Sequence, residues 1–279
     1  PKLDKNGKTV KGKPTSVESC AVFYKNEIKK EDYITNHIVS RLLKNTKDGL
    51  SFEFDYYDFY EIPRKTILED DTIWRCNLLG GNRLNHLIKK LTRKTKFQTN
   101  LEDYISNHLG IEEERYAVGF QIASQKEIAP FITEKRILLG ANLNSKNIKY
   151  SHFTENQKFH RTRKPTLYEY PLINIKRTVE KNKIIIINHN EDTAFNETII
   201  GISAPLKKRD SLNKLFNVLA INGQVHTLQT ISTSAMFYLG STMPFQKQDT
   251  DNWTIPLKDN EIKLSDSEKI IMNDVLDYI

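Results

Sequence analysis

Over residues 116–205 the sequence carries a series of strand-length apolar runs: YAVGFQIA, KRILLGANL, YPLINIKRT, KIIIINH and ETIIGISAP. KIIIINH is the most restrictive. Four consecutive isoleucines at 184–187 place stiff, β-branched side chains on alternate sides of an extended backbone. A strand there has to be buried on both faces, so the chain must build a sheet and cover it twice. What precedes this region is mostly helical in texture. In GNRLNHLIKKLTRK (81–94), Leu84, Leu87, Ile88 and Leu91 recur at helical spacing, with Lys89, Lys90, Arg93 and Lys94 toward the C-terminal end. NLEDYISNHL reads as a second short helix closed by Gly110.

The spacing of Ile34, Ile38, Leu42 and Leu43 predicts a helix in DYITNHIVSRLL, and LSFEFDYYDFYEIP (50–63) alternates as a half-exposed strand does. CAVFYK (20–25) is a further strand candidate. In DSLNKLFNVLAING, Asp210 is the expected N-cap, Leu212, Leu215, Phe216 and Leu219 the buried stripe, and Asn222-Gly223 the stop. Ser265 and Glu268 form a capping box that opens a last helix. The class is therefore α+β, a helical N-terminal portion followed by a mixed β-sheet module with packed helices. The expected organisation is a flexible lead-in and joining segment (1–65), a helical linker (66–115) and a strand-rich domain with a C-terminal helix (116–279). The Met-less, Lys- and Gly-rich start and the last helix, with no terminating signal, read as the ends of a piece of a longer chain.

Charge gives the first functional hint. The net charge is +7 and the pI about 9.1, and residues 140–183 hold ten Lys or Arg against three acids. This local excess equals that of the whole chain, as an anion-binding face requires. Its densest part is FHRTRKPTLYEYPLINIKR (159–177). Arginine suits bidentate contact with phosphate or with guanine O6 and N7, and asparagine suits adenine. The candidates are Lys158, Arg161, Arg163 and Lys164 at phosphates or guanines, and Asn142, Asn144 and Lys146 at base edges. Lys176 and Arg177 project on opposite faces of their strand, so at most one of them readily reaches DNA; Ser232 and Thr233 are weaker candidates for backbone contacts. Four to six neutralised phosphates give a log–log salt slope of roughly −4 to −5.

Several common catalytic signatures are missing. No glycine pair has GxG spacing, and no GxxxxGK[ST], Pro-Pro, GxSxG or HExxH occurs. Two cysteines, Cys20 and Cys76, are too few for a disulfide framework or a four-cysteine zinc site and fit a reducing cytoplasm. No apolar run approaches the length of a membrane span. Two E-x-K triplets, Glu27-Lys29 and Glu261-Lys263, leave a metal-dependent nuclease as one alternative. A protein-interaction module using the aromatic-acidic stretch 52–61 is another.

The order of four segments resembles a known family. TIWRCNLLGGNRLNHLIKKL, FHRTRKPTLYEYPLINIKRT, NETIIGISAPLKKRDSLNKLFNVLAINGQVHTLQTISTSA and NWTIPLKDNEIKLSDSEKI are similar to the C-terminal, TaqI-like target-recognition portion of adenine-N6 DNA methyltransferases from restriction-modification systems. AING stands where that family usually has LNS. The resemblance implies a part that lies on double-stranded DNA, reads its sequence and helps place the target adenine. S-adenosylmethionine and the catalytic site would belong to a covalently linked upstream domain, with no cofactor in this chain.

Overall fold

The computed structural model describes residues 33–39, 41–42, 52–54, 56–122, 127–144, 147–180, 182–234 and 245–278. The expected strand at 20–25, Cys20, Glu27, Lys29 and Lys146 lie outside them. The described chain opens with β1 (Ile34–Ile38), where a helix was expected. Two short strands follow, β2 (Arg41–Leu42) and β3 (Phe52–Glu53), and then β4 (Phe59–Pro63), which pairs antiparallel with β1 from Ile34↔Pro63 to Ile38↔Phe59. The residues explain the change. Ile34, Thr35 and Ile38 are β-branched, and the inward positions are Thr35 and His37, not the isoleucines, which are exposed. His37 is held by Asn77 Nδ2 at 3.3 Å and by the edge of Trp74.

After α1 (Arg64–Glu69) come α2 (Ile73–Leu79) and α3 (Gly81–Thr92). Asp70 organises all three. It accepts from the Thr72 N–H (3.0 Å) and hydroxyl (2.5 Å), from Asn85 Nδ2 (3.0 Å) and from Lys89 Nζ (2.9 Å), fixing the start of α2 to the side of α3. These bonds hold its carboxyl down at about 2 against the opposing effect of burial. Gly81 turns the chain between the helices at φ +70, a conformation that suits glycine. The α3 stripe Leu84, Leu87, Ile88 and Leu91 is buried.

The chain continues through β5 (Gln98–Asn100) into α4 (Leu101–Asp103), which runs on as a π-helical turn (Tyr104–His108). It turns away at Gly110, φ +58. Lys208 Nζ donates to the freed carbonyls of Leu109 and Gly110. From here strands dominate: β6 (Tyr116–Val118), β7 (Glu127–Ile128), the short α5 (Pro130–Thr133), β8 (Arg136–Asn144), β9 (Asn147–Ser151), β10 (Lys158–Phe159), β11 (Leu172–Glu180), β12 (Lys183–His189), β13 (Thr193–Phe195) and β14 (Ile199–Ser203).

A four-stranded antiparallel sheet has the order β12-β11-β14-β6, and a three-stranded sheet the order β13-β8-β9 with β13 and β8 parallel. The isoleucine run forms β12, and parity divides it. Ile184 and Ile186 face the helices, whereas Ile185 and Ile187 face a second core built on Phe120, Phe159, Tyr168 and Phe195. Both faces are covered, but β12 is an edge strand, so only Ile184 of the four is fully buried. Phe195 locks the sheets together by lying over Gly201, where an added Cβ would come within 2.1 Å of the ring.

Helices α6 (Arg209–Ile221) and α7 (Gly223–Thr233) close the first face, followed by α8 (Lys247–Asp251), β15 (Thr254–Pro256), which pairs with β5, and α9 (Asp266–Tyr278). Two sequence expectations are corrected here. Lys208, not Asp210, stands at the N-cap of α6, and no side chain caps it, because Asp210 already lies in the first turn. Asn222-Gly223 ends α6 but not helical structure, since the chain restarts at once as α7. Asn222 makes this corner by donating to Val218 and Asn260 carbonyls and accepting from the Ile262 N–H.

Helix α7 has no solvent face over Val225–Ser232. Most of its polar groups are met internally, the Ser232 hydroxyl excepted. Thr227 and Thr230 donate to carbonyls four residues back, Gln229 exchanges bonds with Thr254, and His226 Nε2 donates to the Thr254 carbonyl while its ring stacks on Trp253. The capping box of α9 forms, with the Ser265 N–H donating to Glu268 at 2.8 Å and the Glu268 N–H reaching Ser265 Oγ at 3.4 Å. A third core joins Leu84, Leu87 and Leu91 to Leu228, Ile231, Met272 and Val275. Residues on both sides of position 115 therefore share cores; that position marks a change of texture, not a gap in packing.

Candidate nucleic-acid interface

The basic loop leaves β10 and is pinned at several points. His160 and Gln121 exchange two backbone hydrogen bonds of 2.8 Å, the Tyr168 hydroxyl donates to the Thr162 carbonyl, and Thr162 Oγ1 donates to Glu127. Between these ties the backbone passes through the left-handed region at Arg161 (φ 50) and again at Arg163 (φ 67). Such conformations cost a non-glycine residue roughly 1–2 kcal/mol each. Arg161 is thereby turned outward, exposed and in no hydrogen bond or ion pair among the described residues. Arg163 is half-buried, its Nε donating weakly to the Gly119 carbonyl at 3.4 Å. Lys158 is exposed, with its ammonium unpaired among the described residues. Lys164 is paired with Glu114, which raises its pKa through that hydrogen bond and then through charge.

The second element is the β8–β9 hairpin. Asn142 Nδ2 donates to Ser151 Oγ at 3.1 Å, and Asn144 Oδ1 accepts from the Asn147 N–H at 2.9 Å. Asn147, Ile148, Lys149 and Tyr150 are all exposed, so this stretch of β9 is open on both faces. The hairpin base is braced by His189, which accepts at Nδ1 from Arg136 (3.3 Å) and donates from Nε2 to Asn174 (2.8 Å). The ring is neutral with its proton on Nε2, its pKa pushed down to about 3 by burial and then by Arg136. Arg136 also lies over the Tyr150 ring at 4.2 Å.

Both elements reach β8: Tyr150 of β9 pairs with Leu138, and Asn144 stands at the far end of the strand. The loop connects through Gln121, Phe120 and Asn196 to Leu138. Asn144 lies six residues farther along β8, roughly 20 Å at about 3.3 Å per residue.

Three of the other sequence candidates, Arg177, Lys176 and Thr233, bond within the fold. Arg177 is buried, and its guanidinium donates to the carbonyls of Phe245 (2.7 Å) and Glu197 (2.6 Å) and to Gln246 Oε1 (3.0 Å). Lys176 binds the Leu143 carbonyl at 2.6 Å and Glu180 at 3.5 Å, tying β11 to the hairpin. Ser232 is fully buried in α7 with its hydroxyl unpartnered. Thr233 is half-buried and donates to the Gln229 carbonyl. Ser232 and Thr233 border an open cleft with Asp71, Thr72, Trp74, Arg75 and Leu78.

Residues missed at the sequence level include Lys149, an exposed unpaired cation, and two carboxylates, Glu114 and Glu127, that come back against the loop from elsewhere in the chain. Glu261 is exposed and Lys263 pairs with Asp259. Among the described residues, no cluster of three His, Cys, Asp or Glu could hold a metal ion, and no helix is long and apolar enough to cross a membrane. Cys76 is fully buried, its thiol pushed up to about 12 by burial and then by Asp70. No model of a known protein family matches the chain, and no curated protein matches it significantly.

Proposed function

We propose that this chain is a double-stranded DNA recognition part of an adenine-N6 DNA methyltransferase of the restriction-modification type. Methyl transfer from S-adenosylmethionine would take place in an upstream domain. The observation that carries the DNA reading is Arg161: a free guanidinium presented on a strained backbone by a loop tied down on either side. Rigid presentation of an arginine lowers the entropy cost of a bidentate phosphate or guanine contact. Lys158 and Lys149 add free cations, and Arg163 retains unused N–H groups. The methyltransferase part is supported by the four resembling segments. Far apart in sequence, they meet in the fold, where β11 pairs with β14 and the α2–α3 pair packs with α7 and α9.

With Lys164, Lys176 and Arg177 engaged internally, three to four phosphates remain to be neutralised, for a slope near −3. The test is binding of a labelled random-sequence duplex from about 50 to 200 mM salt, for the parent chain and for Arg161→Glu. A steep salt dependence that Arg161→Glu flattens supports DNA contact. Binding that ignores salt and the substitution removes it.

One observation favours a second reading as an interaction module. Ile34, Ile38, Phe54, Tyr56, Tyr57 and Phe59 are exposed around the β1–β4 ribbon, an accumulation of apolar surface typical of protein contacts.

A further inference from the structure

The basic loop is less positive in space than in sequence. The 3-10 turn Glu113–Arg115 is clamped beneath it, because Arg115 is buried and donates to the Thr166 carbonyl at 3.0 Å and to Glu169 at 3.1 Å. That clamp delivers Glu114, whose side chain is about a third exposed, to Lys164, which is 65% exposed. Glu112 also acts on Lys164 through its charge. Glu127 takes the hydroxyl of Thr162, the residue next to Arg161. A carboxylate on an exposed ammonium occupies the position that a phosphate oxygen would take.

We infer that Glu114 is a specificity-determining residue, a resident anion that withholds Lys164 from sequence-independent contact with the DNA backbone. This rests on the DNA reading above. Sequence-independent affinity comes from phosphate neutralisation. A cation that must first leave a fixed carboxylate adds little to it, because one ion pair is exchanged for another. Arg161 stays outside this restraint and makes the first contact on any duplex. Lys164 changes partner only when the protein is held close enough for a phosphate to displace Glu114, as when the hairpin also engages. The pairing therefore trims random binding more than it trims seated binding.

The test uses the full chain and a random-sequence duplex at about 50 to 200 mM salt. Glu114→Gln keeps the shape and removes the charge. The expected result is a roughly eightfold rise in affinity at about 0.1 M salt, the worth of one phosphate contact. The salt slope should steepen by about 0.9, one more phosphate neutralised. Lys164→Gln in the same background should cancel both gains, and Glu114→Asp, which keeps the charge, should restore most of the restraint. If Arg161→Glu weakens binding but Glu114→Gln changes neither affinity nor slope, the restraint is wrong and the DNA reading survives. If the parent chain does not bind and Arg161→Glu is silent, both fall, and the pair is only a tie between the 3-10 turn and the loop.

Discussion

Arg177 closes the most basic stretch of the sequence, and its fate in the fold can be tested by replacing it. In Arg177→Ala the carbonyls of Phe245 and Glu197 and the amide oxygen of Gln246 lose their donors together. Each buried acceptor left unpaired costs about 1–3 kcal/mol. The three share one donor group and relax together, so the loss should total about 3–5 kcal/mol, as for other broken buried charge contacts. Arg177→Lys keeps a charge but can serve fewer of the three acceptors, and should fall between the parent and alanine. Urea unfolding followed by circular dichroism reads the effect. With a slope of about 3 kcal/mol/M, the alanine midpoint should drop by about 1–1.7 M. Duplex binding at low temperature, where the variant is still folded, should be nearly unchanged. A stability change under about 0.5 kcal/mol together with weakened DNA binding would falsify the structural role and return Arg177 to the interface.

Other outcomes follow from the same geometry. Arg161→Gly relieves a left-handed conformation but frees the unfolded chain, so stability should move by less than about 1 kcal/mol; duplex affinity at about 0.1 M salt should fall roughly eightfold, one phosphate contact. Unchanged affinity in a filter or fluorescence assay would take Arg161 off the DNA. Stability should depend on pH through His189 and His226, whose pKa values burial pushes down from 6.5 to about 3 and about 4. Below pH 6.5 the unfolded chain takes up protons that the folded rings refuse. Their contribution is complete above that pH and lost on acidification, by about 1.4 kcal/mol per pH unit for each ring, until about pH 4 for His226 and about 3 for His189; His189→Gln should roughly halve the part of the slope due to these rings, and an unchanged slope in unfolding titrations would contradict the buried, neutral ring. Gly201→Ala drives a methyl into Phe195 and should cost about 2–3 kcal/mol, partly recovered by Phe195→Leu in the same chain; additive losses in that cycle would show that the two residues do not meet.

Periodicity made the α3 stripe, the α9 capping box and the parity of β12 legible, because each depends on residues within one or two turns of each other. It failed at residues 34–38. Isoleucines four apart fit a helix, but pairing with residues 59–63 and an inward-facing His37 decide the conformation, and neither is local. The site shows the same division. Arg161 stands out in sequence because its cationic neighbours are contiguous. The anions that temper the loop, Glu114 and Glu127, lie about 50 and 35 residues from their partners, so a count along the chain credits the loop with more charge than the folded surface presents. Arg177 was indistinguishable in sequence from a DNA contact, since burial is set by Phe245 and Gln246, almost seventy residues away.

Helix α7 leaves the protein little freedom to change piecemeal. The helix packs against both the opening helices and β12, and no residue over Val225–Ser232 has a side turned to water on which variation would be neutral. A replacement suited to one neighbour is judged at once by the other. The amides of α7 should therefore be among the last to exchange with solvent, opening only when the layers on either side open with them. Descendants of this chain should vary freely along the β8–β9 hairpin and the basic loop while α7 drifts slowly. Such a scaffold lets its reading surface be rewritten without asking the core for permission.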